Sequence, residues 1–459
     1  MSSLSSSLWI AAGALQATEG ALDVTSNNIA NASTPGYSRE QAVMTEQGAI
    51  QEGNLTYGQG VNLQQIQSIR DQVLSFQIAL ETQQQGSTQA QSSALQQVQG
   101  LFSSSTQGIG ADFSAFFSSV SQLSTNPTSV PNRQAVLNAA QTLSGDFNQA
   151  AANLDSITSG LNQTVTQTVT QINGLTQQIA QLNGQVGTLQ NEGKDPGVLL
   201  DQENQLISQL SQLTNVSEIQ SGNGLTLTTG NGSPLVVGNQ SFALQTSTNS
   251  SGNTSILSQG QDITSAISGG TLGGTIQVRD TVIPNVSSQL NNLASQFAAS
   301  INSAQTSGYD LNGNKGAALF SVTPGAGAAA SLKVAISDPS LIAASSDGTS
   351  GSNGNVANLL AIQNTALPGG ATPGDTYTNL VAQVGNLTAQ AQAENTASSS
   401  SLTQLNDQLG AISGVSIDEE TTNLVNYQRD YEAAARVVTT VDALTQSVLQ
   451  MGESAPTAP

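Results

Sequence analysis

The stretch that decides the fold is LSSSLWIAAGALQATEGALDVTSNNI, which covers residues 4–29 near the start of the chain. Its apolar and small residues recur at alternating spacings of four and three, the a/d pattern of a coiled-coil seam. The seam positions are Leu4, Leu8, Ala11, Leu15, Thr18, Leu22, Thr25 and Ile29. We therefore expect a helix roughly 40 Å long, at 1.5 Å per residue, that needs a partner for its apolar stripe.

The last segment of the chain carries a similar pattern. A seam at Leu402, Leu405, Leu409 and Ile412 breaks at Ser413-Gly414, and Ser416 followed by Glu419 indicates a capping box that begins a final helix. The stripe then continues at Leu424, Tyr427, Tyr431, Ala434, Val438, Val441, Val448 and Met451. We expect the two terminal helices to pack together as a coiled coil. Periodicity alone does not decide between packing within one chain and packing between neighbouring subunits.

The middle of the chain predicts a helical body with an inserted β domain. Apolar residues keep helical spacing from Leu154 to Leu189, and a break at residues 193–197 leads to a second helix over 200–213, so we expect a hairpin. Short β-prone runs separated by Asn-Gly and Gly-Gly turns fill residues 216–280. Helical spacing returns at Val282 and again over 377–412, while the Gly/Ala/Ser-rich residues 321–358 predict a loop or surface excursion.

These patterns predict an α+β, mainly α fold of elongated, multi-domain shape, with a long helical hairpin body and a small inserted antiparallel β domain. We assign residues 1–35 plus 415–459 to a terminal helical domain. Residues 36–215 plus 281–414 form the predicted helical body, and residues 216–280 form the β insert.

Composition excludes several classes of function. The chain has 459 residues, a formal net charge of −21, and neither cysteine nor histidine. The usual zinc and iron ligands, cysteine nucleophiles and serine–histidine triads are therefore missing. Carboxylates alone could still serve a glycosidase or bind calcium, but the Asp and Glu residues show no pairing suggestive of a glycosidase, and we expect no cofactor, no metal site and no enzyme activity. Nine Lys plus Arg residues cannot make a basic footprint for nucleic acid. Because charged residues are only 8% of the chain, identical copies can pack side by side at low electrostatic cost.

The N-terminus, MSSLSSSLWIAAGALQATEG, lacks features of a cleaved signal peptide or a membrane anchor. It has no basic residue, and Gly13, Gln16 and Thr18 interrupt its apolar run. That pattern is compatible with a cytosolic protein, and equally with export by a machine that reads a polar, unfolded N-terminus.

Both ends of the chain resemble a known family. SNNIANASTPGYSRE (residues 26–40) is similar to the N-terminal signature of flagellar rod, hook and hook-associated proteins, and GVSIDEETTNLVNYQRDYEAAARVVTTVDAL (414–444) is similar to their C-terminal signature. Asp418-Glu419-Glu420 and Tyr427-Gln428 look most like the hook-associated protein 1 family. Residues 126–143, 199–213 and 293–320 strengthen that choice, because the ends alone indicate only an axial protein.

The resemblance implies a structural protein at the hook–filament junction of the bacterial flagellum. Members of the family are exported unfolded by the flagellar type III apparatus without a cleaved signal, and their terminal helices order on assembly. The implied partners are other copies in a ring, the flagellar hook protein, hook-associated protein 3 and an export chaperone that binds the C-terminal segment. The implied location is extracellular, with no nucleic acid and no membrane as partner. The 216–280 insert is compact compared with that of larger relatives, which often carry extra outer β domains. The resemblance therefore does not define the outer surface of the ring.

The resemblance favours an assembly interface on the terminal helices. Its candidate residues are Leu4, Leu8, Leu15, Leu22, Asn27, Asn28, Ile29, Asn31, Leu424, Tyr427, Tyr431, Val438, Val441 and Val448. The three asparagines either fix the register between helices or form the turn that ends the first helix.

Three arginines in or beside the matching segments are candidates for ion pairs. Arg39, Arg429 and Arg436 could pair with carboxylates such as Glu40, Glu420 or Asp430, within or between subunits. The alternative is that these arginines are solvated surface charges, in which case each ion pair contributes only about 0–1 kcal/mol to stability.

Other readings remain open at this stage. A hook or distal-rod protein belongs to the same class, although the Gln-rich hairpin over 154–213 argues against it. A secreted adhesin with axial-type ends would place its binding surface in 216–280 or 321–358. The run Asp310 to Gly316 superficially resembles a calcium loop, but an EF-hand needs Gly and Glu where this chain has Lys315 and Ser321, so we predict a turn.

Overall fold

The computed structural model describes residues 2–52, 55–102, 108–221 and 224–453, and helices predominate within them. The helices are α1 (Ser2–Asn31), α2 (Gln72–Phe102), α3 (Ile109–Thr125), α4 (Val130–Asn191), α5 (Gly197–Leu213), α6 (Gly270–Gln277), α7 (Ile283–Ser307), α8 (Ala328–Ser331), α9 (Gly354–Ala361), α10 (Pro373–Ser413) and α11 (Ile417–Glu453). The strands are β1 (Glu40–Glu46), β2 (Ile50–Glu52), β3 (Leu55–Tyr57), β4 (Val61–Ser68), β5 (Val216–Ser221), β6 (Gly224–Thr229), β7 (Pro234–Val237), β8 (Gln240–Ser241), β9 (Leu244–Thr248), β10 (Thr254–Ser258), β11 (Gln261–Asp262), β12 (Phe320–Ser321) and β13 (Lys333–Val334). All strand pairs in the described sheets are antiparallel, so the predicted α+β, mainly α class is confirmed.

Helices α1 and α11 pack against each other, and the β1–β4 ladder also lies on α1. The ladder pairs Glu40 with Ser68 at one end and Glu46 with Val61 at the other. Small residues of α1 allow the strands to come close, since a Cβ at Gly13 would lie 3.1 Å from the carbonyl oxygen of Val61. We call α1, α11, β1 and β4 the terminal unit.

The structure differs from the predicted helical body between residues 40 and 68, where the chain forms β1 to β4. Part of a period-two signal was present in VNLQQIQS, because Val61 and Leu63 alternate with polar residues, but Ile66 follows three residues later, across a bulge in the ladder. The β1–β4 ladder runs out from the end of α1 and returns to the start of α2. This segment therefore belongs with the terminal unit.

The body is built around α4 and the antiparallel pair of α2 and α10. Helix α4 begins at Val130, well before the predicted start near residue 154, and is roughly 90 Å long at 1.5 Å per residue. Ser129 caps it by accepting a hydrogen bond from the Asn132 amide at 3.3 Å. The predicted hairpin of α4 and α5 is present, and the two helices pack together.

Phenylalanines form the centre of the body's core. The rings of Phe113 and Phe297 are 4.9 Å apart in an edge-to-face arrangement, and Phe116, Phe147 and Phe320 join the same cluster. Edge-to-face geometry is the favoured packing of such rings. This cluster holds α3, α4 and α7 together beneath the α2–α10 pair.

The β insert is shorter than predicted. Its two sheets, in the orders β5-β6-β7-β8 and β11-β10-β9, end by residue 262, and α6 begins at Gly270. The Gly-rich run that suggested turns instead allows close helix packing, because a Cβ at Gly274 would strike the carbonyl oxygen of Ser87 in α2. A π-helical turn over Val278–Val282 follows, and its buried Arg279 donates to Asn162 Oδ1 at 3.0 Å and to the Thr254 carbonyl at 2.8 Å.

Residues 321–358 were predicted to be a loop or surface excursion, but they pack on the core. Leu332, Ile342 and Val356 are all buried. The guanidinium of Arg133 in α4 donates to the carbonyls of Pro127 at 2.7 Å and Ile342 at 2.6 Å, which pins the segment to the body. Small alanines between the apolar residues allow this tight fit, although in the sequence they resemble a flexible linker.

Two further predictions concern local structure. The segment beginning at Asp310 is a turn, because Asp310 Oδ1 accepts hydrogen bonds from the Asn312 and Asn314 amides at 2.8 and 2.9 Å. Among the helices of the described ranges, none combines the length and the apolar character needed to cross a membrane.

Candidate assembly interface

Asn28 fixes the corner at which the chain leaves α1 for β1. Its side chain is 1% exposed, and its Oδ1 accepts hydrogen bonds from the Tyr37 hydroxyl at 2.8 Å and the Glu40 amide at 2.9 Å. Its Nδ2 donates to the Glu40 carbonyl at 2.8 Å. The amide thus satisfies a backbone donor and a backbone acceptor of the first strand residue, which sets the direction of the strand relative to the helix.

Asn27 and Asn31 serve the end of the same helix. Asn31 Nδ2 donates to the Asn27 carbonyl at 3.0 Å and to Asn27 Oδ1 at 2.7 Å. Asn27 Nδ2 in turn donates to Glu40 Oε2 at 3.3 Å. Within this chain the three asparagines therefore form hydrogen bonds at the turn that ends α1, as one of the two alternatives predicted. The structure of one chain leaves any additional role between subunits as a prediction.

The electrostatics of this corner are set by burial among carboxylates. Burial raises the pKa of the Tyr37 hydroxyl well above its usual value, and the charges of Glu40, Asp201 and Glu420 raise it further. Burial also raises the pKa of the Glu40 carboxyl, although the hydrogen bond from Asn27 opposes that shift. Tyr37 is thus held as a neutral hydrogen-bond donor to Asn28.

Arg39 ties the corner to the start of α11. Its Nη1 lies 2.9 Å from Glu419 Oε2, and its backbone amide donates to the Ser413 carbonyl at 2.8 Å. The predicted ion pair therefore exists within the chain, with Glu419 rather than Glu40 or Glu420 as the partner. Arg429 and Arg436 are exposed on α11, and across the described ranges neither takes part in an ion pair.

Asp201 in α5 connects the terminal unit to the body. It accepts hydrogen bonds from the Ser38 amide at 2.9 Å and the Ser38 hydroxyl at 2.8 Å, and Arg70 Nη2 lies 2.8 Å from Asp201 Oδ1. Arg70 also donates to the Gly197 carbonyl. Sequence reasoning missed this group. Its one sequence signal is Asp201 beside the leucines of LLDQENQL, since a carboxylate near an apolar surface needs a partner, but that signal does not name Ser38 or Arg70.

The predicted interface residues divide into those the chain covers itself and those it leaves open. The buried face of α1 is displaced towards the residue before each seam position, because Ala17, Ala21, Val24 and Asn28 are buried there as well as Ala11, Thr18 and Thr25. In α11, Val441 is buried. The predicted residues left partly exposed are Leu4, Leu15, Leu22, Ile29, Asn31, Leu424, Tyr427 and Val438.

Large apolar side chains remain in solvent on both terminal helices. Trp9 is 77% exposed and Leu449 59% exposed. The full set on the two helices is Leu8, Trp9, Ile417, Val425, Tyr431, Val437, Leu444, Val448, Leu449 and Met451. Large apolar side chains that are exposed together on two packed helices are typical of a surface that associates with another protein surface.

Three family models match the chain. The model described as "Flagellar hook-associated protein FlgK helical domain" matches residues 95–320. The two ends match models shared with rod proteins: "Flagella basal body rod protein" over residues 8–37 and "Flagellar basal body rod FlgEFG protein C-terminal" over 410–451. The shared ends cover most of α1 and α11, while the hook-associated match runs from the end of α2 through α7 and includes the β insert.

Curated relatives align along nearly the whole chain. Flagellar hook-associated protein 1 of Bacillus subtilis is 29% identical over 489 residues, which cover 95% of this chain and 96% of the relative. The protein of the same name from Escherichia coli is 27% identical and covers 95% and 98%. Among solved structures, the flagellar hook junction protein FlgK from Burkholderia pseudomallei has a similar fold, with a TM-score of 0.67 at 20% identity, over 73% of this chain and 100% of that chain.

The fold, the open terminal helices and the matches to both ends define the class of protein: the chain is a structural component of the bacterial flagellum. Within that class it is similar to flagellar hook-associated protein 1, because the hook-associated helical-domain match and the relatives that align along nearly the whole chain agree.

Proposed function

We propose that this chain forms the junction between the hook and the filament, and that its copies assemble there through the terminal helices. The observation that carries the proposal is the apolar surface of α1 and α11, which lies on the segment matched to the rod-protein models. At about 25 cal/mol per Å² of apolar area, covering such a surface with neighbouring copies is favourable. We expect the chain to assemble where matching helices are already exposed, at the tip of the hook.

The proposed partners follow from that position. Copies of the chain form a ring between the flagellar hook protein and hook-associated protein 3, outside the cell. The chain reaches this place unfolded through the flagellar type III apparatus, without a cleaved signal peptide, and a chaperone holds its C-terminal segment beforehand. The absence of cysteine suits such a route, since no disulfide has to form after export. The role is structural, with no enzyme activity.

The direct test is deletion of the gene, with electron microscopy of the cells and an assay for flagellin in the medium. Hooks without filaments, together with leaked flagellin, are expected, and a plasmid copy should restore filaments. Loss of the hooks themselves would move the chain to the rod or hook. Intact filaments would contradict every axial role and would favour the adhesin reading.

A further inference from the structure

Two separate apolar cores lie along the long helix α4. The first, which we call the phenylalanine core, takes α4 as far as Leu161, together with α3, α7, residues 319–367 and parts of α2 and α10. The second, which we call the insert core, begins at Val165 and takes the following turns of α4, α5, the β insert and α6. Within the described residues the two cores have no side chain in common, so α4 belongs to two apolar units.

A layer of polar groups lies at the boundary between the two cores. Arg279 is fully buried, and its Nη1 donates to Asn162 Oδ1 at 3.0 Å and to the Thr254 carbonyl at 2.8 Å. Its Nε and Nη2 donate to the two carboxylate oxygens of Asp280, each at 2.7 Å. The Thr254 amide also donates to Asn162 Oδ1, at 2.9 Å. We call Asn162, Thr254, Arg279 and Asp280 the polar joint, because hydrogen bonds connect α4, β10 and the π-helical turn there.

Helix α4 is locally weakened at the same level. A Cβ at Gly160 would meet no other element within 4 Å, so packing does not require the glycine, and glycine in a helix interior lowers helix stability. Four hydroxyl side chains around it donate to the carbonyl four residues before them, at 3.0 or 3.1 Å: Thr158, Ser159, Thr164 and Thr166. Such bonds compete with the helical ladder and often bend helices. A bend of α4 is therefore least costly beside the polar joint.

The other connections at this level are also irregular or polar. The π-helical turn over Val278–Val282 interrupts the path from α6 to α7, and such turns often lie at functional positions. Helix α2 passes both cores, but Gln83 Nε2 donates to the Val216 carbonyl at 3.0 Å, and Gly86 lies against the backbone of Gln212. A shift at these contacts moves polar and small groups past each other, so it exposes little apolar surface.

We propose that the polar joint is a hinge, at which the insert core with α5, α6 and the β insert tilts as one unit against the phenylalanine core. The hydrogen bonds of Arg279 hold the arrangement seen in the structure. Exchange of these bonds for bonds to water has a small net cost, whereas separation of packed apolar side chains does not. A few residues at element ends commonly absorb such a motion. The inference does not depend on the proposed place of the chain in the flagellum.

The test measures distances between spin labels on the full-length chain. Because the chain has no cysteine, cysteine pairs can be introduced at exposed positions without other changes. Gln141→Cys in α4 with Thr246→Cys in β9 reports across the polar joint. Gln141→Cys with Ser303→Cys in α7 reports within the unit of the phenylalanine core. Double electron–electron resonance gives the distribution of distances for each pair.

Arg279→Ala should broaden the distribution of the Gln141–Thr246 pair roughly twofold, because it removes the hydrogen bonds that fix the tilt. The Gln141–Ser303 pair should stay unchanged. Arg133→Ala is the matched control, since Arg133 is also a buried arginine bound to carbonyls, but it lies away from the joint. This control should leave the Gln141–Thr246 distribution as it is. Circular dichroism checks that each variant is folded.

Three results would overturn the hinge. They are an unchanged Gln141–Thr246 distribution in Arg279→Ala, equal broadening by Arg133→Ala, and broadening of both label pairs by Arg279→Ala. If Arg279→Ala does not fold, Asn162→Ala replaces it and must broaden the Gln141–Thr246 pair, because it removes the acceptor shared by Arg279 and Thr254. The junction role is tested separately by deletion of the gene, so either conclusion can fail while the other stands.

Discussion

At the scale of single residues, Asn28 directs the path from the first helix into the first strand. It combines a backbone donor, a backbone acceptor and the Tyr37 hydroxyl around one buried amide. A sequence of small polar residues predicts a turn at this point. Which of the three asparagines is buried could not be predicted, because that depends on where β1 docks.

Replacing Asn28 by alanine should lower the stability of the terminal unit by roughly 2–3 kcal/mol, because two backbone groups of Glu40 lose their partners in a buried site. Urea unfolding followed by circular dichroism provides the measurement. Asn31→Ala is the control, since the hydrogen bonds of Asn31 are exposed. Equal losses in the two variants would contradict the role given to Asn28.

Asp201 should be equally sensitive. Asp201→Ala leaves the guanidinium of Arg70 without its carboxylate at a site where the two side chains are 12% and 18% exposed, so we expect a loss of roughly 2–3 kcal/mol. Glu192→Ala removes the solvent-exposed pair with Lys194 and should change stability by less than about 0.5 kcal/mol. If Asp201→Ala also changed stability by less than about 0.5 kcal/mol, the connection between the terminal unit and the body would have to lie elsewhere.

Glu203 predicts a dependence of stability on pH. Its folded-state pKa of about 7, raised by burial, lies above the ordinary glutamate value of 4.5, so the folded chain binds more protons than the unfolded chain between those values. The corresponding stability is fully present below pH 4.5 and is lost as the pH rises through 7. Glu203→Gln should therefore flatten the fall in urea midpoint between pH 5 and 8. An unchanged slope would exclude Glu203 as its source.

At the scale of elements, periodicity predicted the long helices. It did not predict the buried face of α1, because two different elements pack on that helix. The leucine seam of α1 is a correct signal for a helix. The chain, however, covers the displaced face with Ala17, Ala21 and Val24, because both α11 and the β ladder press on it. Glycine and alanine were the main source of error. In the sequence they indicate turns and linkers, whereas around α6 and residues 321–358 they permit close packing.

Two glycines test that distinction. Gly274→Ala in α6 should lower stability by roughly 1–3 kcal/mol, because its Cβ would strike the backbone of Ser87. Gly160→Ala in α4 has open space around it and should raise stability by roughly 0.5–1 kcal/mol through the better helix propensity of alanine. Thermal unfolding of both variants shows whether each substitution lowers or raises stability. A neutral Gly274→Ala would mean that α6 does not need to approach α2 so closely.

At the scale of the whole molecule, the chain separates a self-sufficient body from ends that are left incomplete. The body has a continuous apolar core, while the terminal helices keep large apolar side chains in solvent. Sequence patterns correctly predicted helices in the two terminal segments, and the assembly interface on those helices stays a prediction. They could not show which seam residues the chain would cover itself, since that depends on the β ladder. The sequence also could not predict the hydrogen bonds that join Asp201 to Ser38 and Arg70, because these residues are far apart in the chain.

The most direct test of the central claim is electron microscopy of isolated hooks mixed with the purified full-length chain. A variant with Leu444→Ser, Val448→Ser and Leu449→Ser should keep its fold, because these side chains are 41–59% exposed. If the terminal helices assemble the junction, the unmodified chain adds density at the hook tips and the variant does not. Equal addition by the variant, or no addition by the unmodified chain, would contradict assembly through the apolar surface of α1 and α11.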